Sequence, residues 1–212
     1  AAGERVEQRA LADGRTLVRW RMSTPHPVYL TTLVAGELVE RAGAWDGIPL
    51  AYLADARYAE WLDEGFAETG RALEFLSELT GVRYPYPKYS QACVENFPFG
   101  GMENISATTM TDAMLRDERG YRDYEPHGLV VPEAAHQWFG DLMTCADWSH
   151  IWLNEGWATY ATLLYEEATR GSDAFRVAVR DALEQYIAGD TGRRRPVVHD
   201  VYRDPMDLFG TG

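Results

Sequence analysis

The amino-acid sequence predicts an α+β fold in which strands come first, a mixed region follows, and helices dominate the last part. Two observations support this order. β-rich runs occupy residues 16–22 and 28–34, whereas apolar residues at helical spacing recur over 58–79 and again beyond residue 124. The chain has 212 residues, of which 46% are apolar. It can therefore bury a sizeable core, as one large domain or as one domain with a piece of another.

The individual elements are predicted from turn signals and from the period of the apolar residues. Pro25 and Pro27 separate the first two strands, and Gly81 ends the first helix. A turn and a strand are predicted in 42–54, with further strands in 91–97 and 105–111 and a glycine loop at 97–104. Later helices are predicted from about residue 124 through His136 to Gly140, over 151–170 and over 173–188, before a loop-like tail at 189–212.

Charge and composition exclude some classes of function and leave others open. The formal net charge of −13 argues against nucleic acid as a partner, because phosphates would be repelled. No apolar run approaches the roughly 18 residues of a membrane span, and the charged first ten residues lack a signal-peptide core. The start lacks an initiator methionine, so we interpret the chain as a processed product or a fragment. The sequence leaves its cellular compartment open. Cys93 and Cys145 are too few for a disulfide framework; they are either buried thiols or a single bridge.

A metal-binding helix pattern is nearly complete at residues 132–136. Positions i and i+4 of a helix share one face. Two histidines there can bind one zinc ion, while a glutamate after the first takes a proton from the bound water. This sequence has Pro132, Glu133 and His136 at the corresponding positions. A further ligand must come from elsewhere, and the candidate is Glu155, nineteen positions after His136 on the next predicted helix.

Two motifs together resemble the zinc aminopeptidase family that includes alanyl aminopeptidases and leukotriene hydrolase. The first is 100-GGMEN-104, which matches the family's G-x-M-E-N loop. The second is Pro132-Glu133-x-x-His136 followed by Glu155 at the family's spacing, with one histidine missing. The stretches Gln137-Trp138-Phe139-Gly140 and Trp152-Leu153-Asn154-Glu155-Gly156 match as well.

The resemblance implies a role for each matching residue. His136 and Glu155 would be zinc ligands, and Glu133 would be the general base that activates water. Glu103 would bind the free α-amine of a peptide or small aminoacyl substrate, which makes the enzyme an exopeptidase. The remaining substrate-binding positions of the glycine loop are Gly100, Gly101, Met102 and Asn104. Glycines there let an extended peptide approach the main chain closely.

The resemblance also implies a domain organisation. Residues 43–212 would form a thermolysin-like catalytic domain, a small mixed sheet followed by a mainly helical part, incomplete at its C-terminus. Residues 1–42 would be the last strands of a preceding β domain. The family's second amine-binding residue and its intermediate-stabilising tyrosine are assigned to no residue here. Surfaces normally covered by the missing parts favour self-association of the chain.

Pro132 is the main departure from the family pattern. Proline has no side-chain donor, and inside a helix it removes a hydrogen bond at a cost of roughly 3 kcal/mol. His127 is a poor replacement, because on a continuous helix it lies opposite His136 and roughly 13 Å along the axis. His150 is expected near a helix start, in a surface or capping role. We therefore expect low zinc occupancy and weak or absent activity.

Three functional hypotheses follow from these motifs. The first is a zinc metallo-aminopeptidase-type hydrolase domain, impaired because Pro132 replaces a zinc ligand. The second is a catalytically dead peptide-binding or scaffold module that kept the groove. The third is a repurposed esterase-like hydrolase, which ranks last because no Gly-x-Ser-x-Gly nucleophile motif is present.

Overall fold

The structure is a computed structural model that describes residues 1–190 and 196–209. These residues form seven strands: β1 (Glu4–Ala10), β2 (Thr16–Arg21), β3 (Leu38–Trp45), β4 (Ile48–Asp55), β5 (Tyr89–Val94), β6 (Gly101–Met102) and β7 (Ala107–Thr111). They also form five α-helices: α1 (Leu62–Gly65), α2 (Thr69–Thr80), α3 (His127–Ala135), α4 (Trp152–Arg170) and α5 (Ser172–Asp190). The predicted loop at 189–212 includes 191–195 and 210–212, which lie outside the described residues; a 3-10 turn covers Pro205–Leu208.

A five-stranded mixed sheet lies at the centre of the fold. Its strand order is β3-β4-β5-β7-β6, with parallel pairing between β4, β5 and β7 and antiparallel pairing at both edges. The first five residues of β5 are buried, as expected for a parallel strand covered on both faces. The helices follow the sheet in the chain. The predicted α+β fold, a small mixed sheet followed by a mainly helical part, is confirmed.

The N-terminal segment contacts the loop that precedes β7. β1 and β2 form a separate antiparallel pair, and the N–H of Gly3 donates a buried 2.8 Å hydrogen bond to Ser106 Oγ. The proposed domain boundary between residues 42 and 43 falls inside β3, which belongs to the central sheet. That boundary stays a prediction.

The strand predicted over 28–34 is wrong. The segment contains a 3-10 turn over Val28–Leu30, because hydrogen bonds from Leu30 N–H to Pro27 O and from Thr31 N–H to Val28 O close it locally. Only Leu30 is fully buried, and its carbonyl accepts a 3.1 Å hydrogen bond from Ile105 N–H. Val28 is 86% exposed. The apolar run therefore supplies one anchoring side chain rather than a paired strand.

The single helix predicted over 58–79 is divided into α1 and α2. Phe66 lies in the break, where its ring is buried and stacks on Tyr52 with the ring centroids 4.8 Å apart. A Cβ at Gly65 would lie 2.7 Å from Leu115 Cδ2, so the chain approaches its neighbour closely at this point. Tertiary packing thus overrides the helical period. The end of the helix is as predicted, since Gly81 caps α2 with a left-handed φ of 68°.

Helix α3 is held between the sheet and α4. One core cluster contains Val131, Ala134 and Ala135 of α3 together with Ala158 and Tyr165 of α4. α3 begins at His127, a few residues later than predicted, and His136 at its C-cap retains helical φ and ψ values of −59° and −23°. Because the apolar side of α3 is anchored in this cluster, the positions of Glu133 and His136 are fixed relative to the sheet and α4.

The structure also bears on the two cysteines and on the membrane-span search. Cys93 and Cys145 are both free thiols, so the single-bridge alternative is wrong. Within residues 1–190 and 196–209, none of the helices combines the length and the apolar character needed to cross a membrane.

Candidate metal centre

Three side chains that can bind a metal converge from separate parts of the chain. Glu103 follows β6, His136 caps α3, and Glu155 lies in the first turn of α4. Each offers a donor atom within 4.8 Å of the other two. His136 Nε2 lies 3.5 Å from Glu155 Oε2, close to the separation of about 3.4 Å between two ligands on one tetrahedral zinc ion. One imidazole and two carboxylates are donors that divalent cations accept, so these residues fit such an ion.

His136 is oriented by its backbone surroundings. Its Nδ1–H donates a 2.9 Å hydrogen bond to the carbonyl of Phe139, which leaves Nε2 facing Glu155. An imidazole bound to a metal is commonly fixed by this kind of hydrogen bond. Burial lowers the pKa of His136, but the hydrogen bond with Glu155 and the nearby carboxylate charges outweigh burial and raise it to about 10. The local field therefore favours positive charge at this nitrogen.

Glu133 lies beside the three donors with an unsatisfied oxygen. Its side chain is buried, and Oε2 has no hydrogen-bond partner. Burial, followed by the charges of Glu103 and Glu155, raises its pKa to about 8, although His136 acts in the opposite direction. A buried carboxyl with a raised pKa can exchange a proton near neutral pH, which is the property required of a general base.

The glycine loop lies directly against Glu133. A Cβ added at Gly101 would come within 2.2 Å of Glu133 Oε1, so glycine is required by close approach. The carbonyl of Gly100 accepts a 2.9 Å hydrogen bond from Thr111 N–H, and Met102 packs on the main core cluster. Asn104 is buried, and its Oδ1 accepts a 2.8 Å hydrogen bond from Thr109 Oγ1. The Asn104 side chain thus holds the loop itself.

Gln137 connects this loop to the end of α3. It is fully buried, its Oε1 accepts a 2.8 Å hydrogen bond from Ser106 N–H, and its Nε2 donates a 3.0 Å hydrogen bond to Glu103 O. These two hydrogen bonds fix the main chain at Glu103 and Ser106 relative to the end of α3, where His136 lies. The sequence places Gln137 inside a matching stretch but gives no reason to single it out. The signal that was available is a polar residue on the buried end of a helix.

Asp141 is an acidic residue near the site to which no role has been assigned. It is 3% exposed, both of its carboxylate oxygens lack hydrogen-bond partners, and its N–H donates a 3.0 Å hydrogen bond to His136 O. Burial, and then the charge of Glu103, raises its pKa well above the usual range. The sequence alone leaves Asp141 as either a surface residue or one that supports the site, because an acid in a connecting loop is ordinarily exposed.

Comparison with known proteins places the chain in a family. A family model described as "Peptidase family M1 domain" matches residues 64–211. The chain belongs to peptidase family M1. Within this M1 domain lie all four candidate chemical residues: Glu103, Glu133, His136 and Glu155.

Named aminopeptidases are among the relatives. Leucine aminopeptidase 2 of Aspergillus clavatus is 30% identical over 211 residues, which cover 94% of this chain and 32% of that protein. Leucine aminopeptidase 2 of Emericella nidulans is 32% identical, with 93% of this chain and 32% of that protein covered. Aminopeptidase N of Streptomyces lividans is 34% identical over 154 residues, which cover 68% of this chain and 18% of that protein. The chain therefore spans about a third or less of the length of these relatives.

Pro132 lies inside α3, one turn before His136. The carbonyl of Pro132 accepts a 3.0 Å hydrogen bond from His136 N–H, so the two positions have the i, i+4 relation. The helix passes through the proline without ending there. Position 132 therefore faces the same side as His136 but offers no donor atom.

His127 belongs to a different cluster, on the side of Glu166. Its Nε2 contacts Glu166, its Nδ1 lies 3.3 Å from Glu125 Oε2, and Arg170 is close to both acids. We expect His127→Gln to leave zinc affinity within about twofold of the unsubstituted chain, because these contacts hold the ring away from Glu155. Competition with a chromophoric chelator measures this affinity. A large loss would show that His127 reaches the metal.

Gly101→Ala is expected to destabilise the fold by about 1–3 kcal/mol, because the new methyl group overlaps the buried Glu133 side chain. Urea denaturation gives the free energy of unfolding. Gly128→Ala on α3 is the matched control, since its Cβ would meet nothing within 4 Å. That control should be neutral or stabilising by up to about 1 kcal/mol. Equal effects of the two substitutions would contradict the close approach.

Proposed function

We propose that this chain is the core of the catalytic domain of a metal-dependent aminopeptidase, which releases N-terminal residues from peptides. The observation that carries the proposal is the position of Glu133. Its buried, unpartnered oxygen lies next to three converging metal donors, and the charges of those donors act on its pKa. A base beside a metal centre is the arrangement that hydrolysis by activated water requires.

His136 and Glu155 are the proposed zinc ligands contributed by the helices. A bound zinc ion would supply Lewis-acid chemistry and lower the pKa of a bound water to about 7. Glu133 would accept a proton from the attacking water and pass it to the leaving amine. Burial next to the three donor side chains places the Glu133 carboxyl group where a general base is required.

The glycine loop provides the proposed substrate contacts. Gly100, Gly101 and Met102 present main-chain groups to an extended peptide, and the family resemblance assigns the α-amine to Glu103. The region has an excess of carboxylates, and burial raises the pKa of Glu103. An ammonium group arriving there gains favourable electrostatic interactions with the ionised acids. Asn104 supports this loop from within.

Pro132 favours a second candidate, a peptide-binding module without catalysis. Replacing a histidine ligand by a residue with no donor weakens zinc binding, while the glycine loop stays intact. The two candidates differ in turnover and not in peptide binding. Residues 43–212 are the proposed catalytic domain, and residues 1–42 the proposed end of a preceding β domain.

Aminoacyl-nitroanilide hydrolysis distinguishes the two candidates. We expect turnover near background in chelator-treated protein, a rise on addition of zinc, and no comparable rise with the N-acetylated substrate. Glu133→Gln should abolish the zinc-dependent part. Binding of a peptide by calorimetry without any metal-stimulated turnover would instead support the non-catalytic module.

Self-association is the proposed partner interaction, with a second copy of the chain as the partner. Large apolar side chains on α5 are exposed, among them Leu183 at 53%, Tyr186 at 64% and Ile187 at 54%. An apolar helix face of this size favours association. Sedimentation velocity should show oligomers, and Ile187→Glu should shift them toward monomer. A monomer at all concentrations would contradict the proposal.

A further inference from the structure

We propose that Glu103 is itself a metal ligand in this chain: it takes the coordination place left by Pro132, so that a divalent cation is held by one imidazole and two carboxylates. The inference rests on the proposed function in treating the site as a metal centre. It changes the assignment of Glu103 from the substrate amine to the cation.

Geometry provides the first step. Glu103, His136 and Glu155 offer donor atoms that lie within 4.8 Å of one another, and this is the only such group of three among the described ranges 1–190 and 196–209. Three protein ligands are the usual number for a catalytic zinc ion, which keeps a further position open for water. The helices supply two donors because position 132 has none. The glycine loop supplies the third.

Charge provides the second step. Glu103, Glu133, Asp141 and Glu155 surround a single imidazole, and in the part of the chain that is described none of the four forms an ion pair with Lys or Arg. Three of them are at least nine-tenths buried, at 9%, 8% and 3% exposed for Glu103, Glu133 and Asp141. Buried carboxylates without a cation are costly, and paired or metal-bound carboxylates are the usual solution. A divalent cation held by two of these carboxyl groups would offset the cost of burying them in ionised form.

Positioning provides the third step. The main chain of Glu103 is fixed to the end of α3, because Gln137 donates to its carbonyl and also accepts from Ser106 N–H. Gln137 directly follows His136, so the loop donor and the helix donor move together. A ligand from a loop is effective only when the loop is held in this way.

Chemistry predicts the metal preference that follows. Imidazole suits zinc, whereas carboxylates also suit manganese and magnesium. Replacing one imidazole by a carboxylate should narrow the preference for Zn²⁺ over Mn²⁺. Zinc stays the tighter ion, because the intrinsic affinity order places it well above manganese.

A double-mutant cycle on metal affinity tests the inference. The four proteins are the unsubstituted chain, Glu103→Gln, Pro132→His and the double variant, each freed of metal by a chelator and titrated with ZnCl₂ and with MnCl₂. A chromophoric chelator reports free zinc, and the six-line EPR signal reports free manganese. In the unsubstituted background we expect Glu103→Gln to weaken zinc binding at least about a hundredfold, since loss of mere supporting contacts costs about 10–100-fold. In the Pro132→His background, Glu103→Gln should weaken zinc binding less than about tenfold, because the new histidine occupies the coordination place of Glu103.

One further measurement and one further variant separate the loss of a ligand from unfolding and from the loss of charge. Circular dichroism melts establish that each variant folds, and Glu103→Asp keeps the charge while withdrawing the carboxylate by one methylene. If Glu103 acted only through its charge, Glu103→Asp would keep its affinity; as a ligand it should lose at least about tenfold. The inference would be overturned if Glu103→Gln weakened zinc binding by the same factor in both backgrounds, or if it left the zinc affinity of the otherwise unsubstituted chain unchanged.

The outcome is separable from that of the proposed function. Glu103-dependent metal binding without any turnover would support the inference and contradict the aminopeptidase. Metal-dependent turnover with additive effects in the cycle would support the aminopeptidase and overturn the role of Glu103 as ligand.

Discussion

Pro132→His should tighten zinc binding and stabilise the fold as well. The new imidazole would stand one turn before His136, on the face that already carries this ligand. The imidazole would replace the Glu103 carboxylate that we propose as the third ligand, and imidazole suits zinc better than carboxylate does. Removing proline from the interior of α3 also relieves a penalty of up to about 3 kcal/mol. Zinc per chain after dialysis and the free energy of unfolding measure the two effects.

Pro132→Ala separates these two contributions. Alanine restores the backbone N–H and favours the helix, but it offers no donor atom. It should therefore raise stability about as much as histidine does and leave zinc affinity unchanged. If alanine also raised zinc affinity, the defect at position 132 would be one of helix geometry rather than of a missing ligand. If histidine changed neither quantity, the side chain at 132 would not face His136.

Local period explains how much of the fold could be predicted. The spacing of 132 and 136 was interpretable because an α-helix fixes which residues share a face. Glu155 was predicted from its spacing along the chain and the family resemblance, and the structure places it 3.5 Å from His136. The α+β order and the end of α2 at Gly81 followed from similarly local signals. Predictions failed where a local turn or packing against distant residues overrides the apolar pattern. The run 28–34 became a turn with one anchor, Leu30, and the first helix broke where Phe66 stacks on Tyr52.

The candidate site likewise contains residues that local motifs predict and contacts that only the structure reveals. The sequence identified Glu133, His136 and Glu155 by spacing, and Glu103 by the loop motif. It could not show that Glu103 offers a donor atom within 4.8 Å of those of His136 and Glu155, because the approach of the loop to the helices depends on residues outside both motifs. Gln137 makes those contacts, and its role is visible only when both partners are in place.

Gln137→Met should destabilise the fold by about 2–5 kcal/mol and weaken metal binding at least about tenfold. Methionine keeps a similar volume, so the core stays filled. The N–H of Ser106 and the carbonyl of Glu103 would lose their buried partner, Gln137, at about 1–3 kcal/mol each. The glycine loop would then be free to shift away from His136. Urea denaturation and zinc competition measure the two quantities on the same protein.

Gln91→Met is the matched control for this last substitution. Gln91 is also fully buried, but its side chain bonds to Thr69 and Met110 rather than to Glu103 or Ser106. Its replacement leaves the hydroxyl of Thr69 without its acceptor and should cost about 1–3 kcal/mol, with zinc affinity unchanged. The contrast matters because any buried polar loss destabilises a protein, whereas only a residue that positions the loop changes metal affinity. If both variants weakened zinc binding alike, Gln137 would act through general stability and not by holding Glu103 beside His136.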